Sequence, residues 1–130
     1  MKKSAKPEAT DQLVLGTLRR SHAPLSAYDI LAKLKPRGIK SPPLVYRALE
    51  KLTKAGTAHR VDALGSYVAC RCEHDHHHAI SLLTVCTQCK RVDEIHDDAV
   101  VHTLQSLEKS GIRITPGAVV ELPITCAECV

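Results

Sequence analysis

Cysteines occur in two Cys-x-x-Cys pairs in the second half of the chain, at Cys86 and Cys89 and again at Cys126 and Cys129. A gap of two residues lets both sulfurs of one turn face a single ion at about 2.3 Å, and two such turns complete a tetrahedron of thiolates around Zn²⁺. Such a site has no open coordination position. The spacing therefore predicts a structural zinc site that stabilises the fold and carries out no chemistry.

Redox and catalytic explanations of these cysteines fit the sequence less well. A thioredoxin-type redox pair opens a helix after a strand in a βαβ unit, whereas Cys86 and Cys89 lie between two strand-like segments and are followed by a second pair. Disulfides are the other alternative. The sequence lacks the His-x-Glu and Pro-Cys-x-x-Cys of zinc deaminases and the His-Glu-x-x-His of zinc hydrolases. We therefore predict that the protein is not an enzyme.

A second group of potential metal ligands lies between residues 70 and 78. It consists of two cysteines and four histidines: Cys70, Cys72, His74, His76, His77 and His78. A thiolate combined with imidazoles and one carboxylate suits Zn²⁺ better than Mn²⁺ or Mg²⁺. The alternative is a solvated histidine-rich loop with weak, nonspecific metal affinity, and the residue types alone leave both interpretations open.

Charge is distributed unevenly along the 130 residues. Residues 1–60 contain 13 Lys and Arg against 4 Asp and Glu, whereas residues 61–130 contain 5 against 10. A basic half indicates an acidic partner, most often the phosphate backbone of nucleic acid, and an acidic half rich in cysteine and histidine indicates cations. Uneven charge that serves only solubility is the alternative.

Composition indicates a folded, soluble chain. It is 44% hydrophobic and 25% charged, and no apolar stretch approaches the roughly 20 residues that span a bilayer. The first three residues resemble the start of a signal peptide, but residues 4–8 are too polar to continue one. We therefore expect a cytoplasmic protein, whose reduced thiols are metal ligands rather than disulfides.

Two short helices are predicted at the start of the basic half. A loose basic arm over residues 1–8 precedes an apolar face that predicts a helix from near Thr10, ended before Pro24. Ser26 and Asp29 then have the spacing of a capping box, which predicts the start of a second helix.

A third helix and a hairpin complete the first domain. Ser41 is expected to cap the helix, and Gly56 suits the position just past its end. Strand-like segments at 58–61 and 66–70 flank a turn and predict a hairpin. Three helices and a hairpin make a winged helix-turn-helix, which we assign to residues 1–70.

The second half predicts a small α/β domain. Polar residues 71–79 are expected to form a histidine-rich hinge. Residues 80–130 contain a helix capped by Asp97 and four strand-like segments, at 80–85, 91–95, 112–115 and 118–124. A unit of about 50 residues has too small a core to be stable unassisted, so a zinc ion and a second subunit would both help. The predicted fold class is α+β, a winged helix-turn-helix followed by a zinc-stapled α/β dimerisation domain.

Several motifs follow one another in a specific order. They are Ser26-Ala27-Tyr28-Asp29, the segment Pro43 to Leu49, the segment His59 to Cys70, the histidine cluster and both Cys-x-x-Cys pairs. In this order and spacing, and over nearly its whole length, the chain resembles the ferric uptake regulator (Fur) superfamily, and within it the zinc uptake regulator (Zur) branch.

The resemblance implies two zinc ions per subunit. Both Cys-x-x-Cys pairs would form the structural site. The regulatory site maps onto four residues: His59, Cys70, His78 and Glu94. Relative to the family pattern, this chain has an extra residue before Cys86 and the additional Cys72. Iron- and peroxide-sensing relatives typically use His, Asp and Glu in this region, so zinc is favoured over iron.

The resemblance also implies recognition of double-stranded operator DNA. The third helix would enter the major groove, where Arg47 would pair with guanine. Lysines of the same helix would meet phosphates, which gives affinity and salt dependence without reading sequence. The residues expected to contact DNA are Tyr28, Tyr46, Arg47, Lys51 and Lys54.

The resulting hypothesis is a zinc-dependent transcriptional repressor that acts as a homodimer and controls zinc uptake genes. Its regulatory ion would join the wing, the hinge and the dimer unit, and would select the orientation of the two DNA-binding domains that matches successive half-sites. An iron- or manganese-responsive regulator of the same fold is one alternative. A cytoplasmic zinc buffer or chaperone is another, although it would not explain the basic half.

Overall fold

The computed structural model of the protein describes residues 7–71 and 80–130, with side chains described from residue 10 onward in the first range. The chain divides into two units, Met1–Ala69 and Cys70–Val130. The hinge role of residues 71–79 and the domain limits on either side of it stay predictions, because most of that segment lies outside the described residues. None of the helices in the described ranges is long and apolar enough to cross a membrane.

The first unit contains three helices and a two-stranded wing. Its elements, in chain order, are α1 Pro7–Arg20, α2 Ala27–Leu34, a 3₁₀ turn Lys35–Arg37, α3 Pro42–Lys54, β1 Ala58–Val61 and β2 Ser66–Ala69. The two strands are antiparallel, with His59 opposite Val68. Tyr67 also pairs with Leu25 in the α1–α2 connection, so the wing is hydrogen-bonded to the helical part. This arrangement confirms the predicted winged helix-turn-helix.

The sequence explains where α2 begins and where α3 ends. Ser26 Oγ accepts the Asp29 backbone N–H at 3.0 Å, and the Asp29 carboxylate accepts the Ser26 N–H at 3.0 Å, which confirms the predicted capping box. Beyond α3, Gly56 has a φ of 80°, a left-handed conformation that stops the helix. These signals fix one end of each of the two helices of the helix-turn-helix.

One sequence-based expectation about helix starts is wrong and another holds in part. α1 begins at Pro7 rather than near Thr10, because a proline at the first helical position lacks only an N–H that the helix would not use. Residues 7 and 8 of the predicted loose arm therefore belong to α1, and residues 1–6 lie outside the described residues. Ser41 is the N-cap residue of α3, as expected, but its side chain makes no capping hydrogen bond, and the fixed φ of Pro42 suits the first turn.

The core of the first unit joins its three helices to the wing. Leu18, Ile30 and Leu49 come from α1, α2 and α3 and are at most 2% exposed, while Ala58 and Ala69 extend the same core into the wing. A buried aliphatic side chain stabilises a fold by about 1.5–3 kcal/mol. The apolar stripe of α3 is therefore held inward, and its polar side chains face solvent.

The second unit contains a three-stranded sheet and one α-helix. Its elements are β3 Ile80–Cys86, β4 Val92–Ile95, α4 Asp98–Gln105, a 3₁₀ turn Ser106–Ser110 and β5 Ala118–Ile124. The strand order is β4-β3-β5, with β3 antiparallel to β4 and parallel to β5. Asp97 accepts the N–H groups of Ala99 and Val100, which confirms its predicted role as a cap. Together the units give the predicted α+β fold.

Residues 112–115 do not form the predicted strand. The backbone N–H of Ile114 donates to the Glu108 carboxylate at 2.9 Å, so it is not available to a neighbouring strand. Gly111 and Gly117 on either side both have positive φ and turn the chain. The β-branched residues of this connection have the composition of a strand, but the segment does not pair with a neighbouring strand.

Apolar burial in the described part of the second unit is confined to β3 and two cysteines outside it. The buried apolar side chains are Cys70, Ile80, Leu82, Leu83, Val85, Cys86 and Cys126. No residue of α4 is buried, and Val100 and Leu107 on the apolar side of this segment are 36% and 52% exposed. A core this thin is not expected to hold a unit of roughly 60 residues together by itself.

Candidate metal centres

Four cysteines converge at one end of the sheet in the second unit. Cys86 is the last residue of β3, and Cys89 lies in the turn that follows. Cys126 lies just before the turn that follows β5, and Cys129 lies in that turn. The parallel pairing of β3 with β5 brings these turns together, and it continues past the strands in a hydrogen bond from the Thr87 N–H to the Ile124 carbonyl at 2.9 Å. Topology therefore places the two predicted pairs side by side.

The spacing of the four sulfurs fits a single tetrahedral ion. All four Sγ atoms lie within 4.8 Å of one another, and those of Cys89 and Cys126 are 3.7 Å apart. Two thiolates at about 2.3 Å from a tetrahedral Zn²⁺ are about 3.8 Å apart, whereas disulfide-bonded sulfurs are about 2.05 Å apart. The four cysteines are free thiols. The donor set and its geometry therefore fit zinc.

Hydrogen bonds around the cluster favour the thiolate form of Cys86 and the protonated form of Cys129. Cys86 Sγ accepts backbone N–H groups from Cys89, Cys126 and Gln88, and these bonds lower the pKa of Cys86 to about 6. Hydrogen bonding to Cys126 and to Cys89 raises the pKa of Cys129 to about 12. Without a cation the sulfurs must share protons, and a divalent ion removes that constraint.

Acidification is expected to release zinc from the cluster and to destabilise the second unit. The pKa of Cys86 is lowered from 9.0 to about 6 in the folded chain, so ionisation of this thiol stabilises the fold. The stabilisation is fully present at pH values above 9.0, the pKa of the thiol in the unfolded chain, and it is lost as pH falls through about 6. Protons compete with zinc in the same direction. Zinc content after desalting and amide exchange of β3, followed from about pH 8 to about pH 4, test this expectation. Constant values over that range would contradict it.

A second candidate site is formed by Cys70 and Glu94. Cys70 Sγ donates to Glu94 Oε2 at 3.4 Å, and the Arg71 N–H donates to the other carboxylate oxygen, Oε1, at 3.0 Å. Cys70 is 6% exposed, and the Glu94 side chain is 4% exposed. A buried carboxylate held beside a thiol is an oxygen and sulfur pair of the kind that a borderline-soft cation accepts.

Of the other two predicted ligands of this site, the structure describes His59 but not His78. His59 is buried on β1 and pairs with Val68 of β2. Cys70 is the first residue after β2 and lies two residues beyond Val68. His78 lies outside the described residues, as do Cys72 and the neighbouring histidines of the cluster. The regulatory ligand set as a whole therefore stays a prediction.

His96 is a potential ligand that sequence reasoning missed. Its Nε2 lies 3.9 Å from Glu94 Oε2, and its side chain is 42% exposed. The signal was present in the spacing, because residues two apart in an extended segment point to the same side.

The side chains predicted to contact DNA are exposed in the first unit. Tyr28, in the first turn of α2, and Tyr46 on α3 are 67% and 47% exposed, and Arg47 is exposed beside Tyr46. Both predicted phosphate-binding lysines already have carboxylate partners. Lys51 Nζ lies 3.1 Å from Asp11, and Lys54 Nζ lies 3.5 Å from Glu50.

Comparison with known proteins places the chain in a family. Residues 9–120 match the model of the ferric uptake regulator family. A zinc uptake regulation protein of Escherichia coli strain K12 is 34% identical over 121 residues, which are 90% of this chain and 68% of that protein. A protein of the same name from Shigella flexneri matches to the same extent.

Solved structures show the same architecture. Holo XcZur superposes with a TM-score of 0.78 at 26% identity, over 98% of this chain and 88% of that one. A zinc uptake regulator complexed with zinc and DNA gives a TM-score of 0.78 at 30% identity, over 92% of this chain and 80% of that one. Members of the matched family are transcription regulators and not enzymes. The chain belongs to the ferric uptake regulator family, and its likeness within that family is to the zinc uptake regulators.

Proposed function

We propose that the protein is a zinc-responsive transcriptional repressor, which binds operator DNA in the cytoplasm as a zinc-loaded homodimer and controls zinc uptake genes. The observation that carries this proposal is the buried hydrogen bond between Cys70 and Glu94. Cys70 directly follows the wing of the DNA-binding unit, and Glu94 lies on β4. The zinc uptake regulators to which the chain is similar support the choice of metal and of target genes.

Two zinc ions per subunit are proposed, with different tasks. The thiol cluster would hold the structural ion through four residues: Cys86, Cys89, Cys126 and Cys129. All four positions are filled by protein, so this ion would be retained. The regulatory ion would use a mixed set of imidazole, thiolate and carboxylate: His59, Cys70, His78 and Glu94. Mixed N, S and O donors favour zinc over Mn²⁺ or Mg²⁺.

The regulatory ion would act by linking chain segments that are far apart in sequence. His59 and Cys70 sit on and directly after the wing, whereas Glu94 belongs to β4. In the absence of the ion the DNA-binding units would sample many orientations, and the ion would select the one that fits two half-sites. A shift from mostly incompetent to mostly competent needs about 5.5 kcal/mol, which a four-ligand zinc site can supply.

The exposed surface of α3 is the proposed DNA-reading surface. Arg47 would donate two hydrogen bonds to a guanine, and Tyr28 and Tyr46 would contact bases or backbone beside it. Lys51 and Lys54 would exchange Asp11 and Glu50 for phosphates. Both side chains of the Lys54–Glu50 pair are exposed, and such pairs are worth at most about 1 kcal/mol, so exchanging this pair costs little.

Exposed apolar side chains in the second unit support a homodimer. They lie on α4, on the 3₁₀ turn and connection that follow it, and on β5: Val100, Leu107, Ile112, Val119 and Leu122. Several exposed large apolar side chains on a unit with a thin core are typical of a unit that a second subunit covers. The same contact would supply the apolar burial that one chain lacks.

DNA-binding measurements with defined metal content test the proposal. We expect purified protein to keep one zinc ion per subunit in the presence of a moderate chelator and to gain one exchangeable ion in excess zinc. Retardation of operator DNA in a gel should require the exchangeable ion. Titrations with Fe²⁺ and Mn²⁺ serve as controls, because an iron or manganese regulator would respond to those metals at lower concentration.

Two outcomes would count against the proposal in different ways. DNA binding that does not depend on metal would remove the regulatory site. Zinc binding without any salt-dependent affinity for DNA would instead favour a zinc buffer.

A further inference from the structure

A cationic cleft lies in the first unit between the end of α1 and the end of α2. Its volume is about 310 Å³, and it is lined by Arg20, Lys33 and Arg37 together with Thr17 and Ser21. No residue of α3 or of the β1–β2 wing contributes to the lining. The cleft is therefore separate from the surface proposed to read DNA.

The three cations of the cleft lack a carboxylate partner among the residues that the structure describes. None of them forms an ion pair within the described part of the chain. The segment from residue 30 to residue 49 contains no Asp or Glu, and Asp29 just before it is engaged in the capping box of α2. By contrast, Lys51 and Lys54 on α3 are both paired with carboxylates. Three like charges around one cleft repel one another unless an anion neutralises them.

The side chain of Arg20 lies along α1. A Cβ atom placed on Gly16 would lie 3.2 Å from Nη1 of Arg20, so the guanidinium lies against the glycine one turn earlier in α1. The two hydroxyl groups of the cleft are engaged by the backbone, because Thr17 donates to the Leu13 carbonyl and Ser21 to the Ala23 carbonyl. The donors available to a ligand are therefore the three cations.

Compensation of helix dipoles accounts for only part of this arrangement. Arg20 and Lys33 lie in the last turns of α1 and α2, where cations are favoured by the exposed carbonyl groups. Arg37 lies beyond α2 on the 3₁₀ turn and yet contributes to the same cleft. Convergence of side chains from three segments onto one concave space is typical of a ligand site.

We propose that this cleft binds a phosphate group. The forked guanidinium groups of Arg20 and Arg37 match the oxygens of a phosphate, and Lys33 adds a point charge. A volume of about 310 Å³ is at the small end of ligand sites and admits a phosphorylated small molecule. The phosphate has two potential sources, a free phosphorylated metabolite or the backbone of bound DNA.

A charge-matched pair of variants tests the proposal. The cleft variant carries Arg20→Gln and Arg37→Gln. The control carries Lys35→Gln and Lys40→Gln, which removes the same charge at exposed positions that do not line the cleft. Inorganic pyrophosphate binding is measured by calorimetry on the zinc-loaded protein at physiological ionic strength. The salt dependence of operator DNA binding is measured on the same three proteins.

The outcomes separate the two sources. With a free ligand, pyrophosphate binding falls at least about tenfold in the cleft variant and less than about twofold in the control, and the salt slopes of the two variants agree. With DNA as the source, the slope of the cleft variant is smaller than that of the control by about 0.9 for each lost phosphate contact. Equal behaviour of the two variants in both measurements overturns the proposal.

Only the DNA measurement rests on the proposed function. Pyrophosphate binding that is lost in the cleft variant alone supports the site even where the protein shows no affinity for operator DNA. Failure of DNA binding by all three proteins therefore contradicts the proposed function. The calorimetric measurement of pyrophosphate binding then still supports or overturns the phosphate site.

Discussion

Replacement of Cys126 by serine is expected to remove zinc from the thiol cluster and to unfold the second unit. Cys126 is 7% exposed, and its Sγ lies 3.7 Å from that of Cys89. A serine hydroxyl is a poor zinc ligand at neutral pH, so three thiolates would remain around an ion that needs four. The loss should affect the second unit only, because the cluster and its turns lie within residues 86–129.

The expected effect is large because the second unit has little else to stabilise it. Within the described residues, its buried apolar side chains come from β3, from Cys126 of the thiol cluster and from Cys70. Structural zinc in small domains contributes about 10–16 kcal/mol of binding free energy, and this appears as folding free energy. Whole domains are stable by only about 5–15 kcal/mol. The second unit should therefore lose its cooperative unfolding transition.

Amide hydrogen exchange read separately for the two units measures this effect. Protection should vanish in β3 and β5 and persist in α1, α2 and α3, whose core is built entirely from first-unit residues. Ala127→Ser is the matched control, because it adds a hydroxyl in the same exposed turn without removing a thiol. Retained zinc and retained protection of β3 in Cys126→Ser would show that the cluster is not a structural site.

The thiol cluster illustrates what the sequence could predict. Two residues between cysteines bring their sulfurs to one side of a turn whatever the rest of the chain does, so each pair could be identified locally. The meeting of the pairs depends on the parallel alignment of β3 with β5, where Cys86 is opposite Ile124. Hydrophobic pattern does not specify which strands become neighbours, and only the number of ligands required by zinc indicated that the pairs share an ion.

Contacts between segments, which the composition of one segment does not specify, account for what the sequence did not reveal. Residues 112–115 have strand-like composition, but pairing is decided by neighbours, and Ile114 finds the Glu108 carboxylate instead. The cationic cleft combines Arg20 with Lys33 and Arg37, which come from different helical segments. The sequence showed an excess of positive charge, but the three-dimensional path of the chain determines where these charges converge.

Replacement of Cys70 by serine is expected to abolish the response to zinc while leaving the fold intact. Cys70 is outside the thiol cluster, and its Sγ donates a hydrogen bond to Glu94 Oε2 at 3.4 Å. A serine hydroxyl can still donate to that carboxylate, so the local hydrogen bond is retained while the soft thiolate ligand is lost. The variant should keep one zinc ion per subunit and a normal unfolding transition.

The size of the effect follows from the proposed population shift. An ion that moves the competent form from about 1% to about 99% raises the apparent DNA affinity about 100-fold, and the variant should lose all of that gain. Operator affinity measured with and without excess zinc gives this ratio directly. Cys72→Ser provides the control, because it removes the other cysteine that belongs to neither Cys-x-x-Cys pair and lies two residues away.

The comparison of these two variants decides which thiol is the ligand. A zinc response that survives in Cys72→Ser and disappears in Cys70→Ser supports the proposed set. The reverse result would assign the ligand to Cys72 and would require Glu94 to bind the ion without its present partner. A full response in both variants would exclude a thiolate from the switch, and the remaining imidazole and carboxylate donors would then no longer favour zinc over iron or manganese.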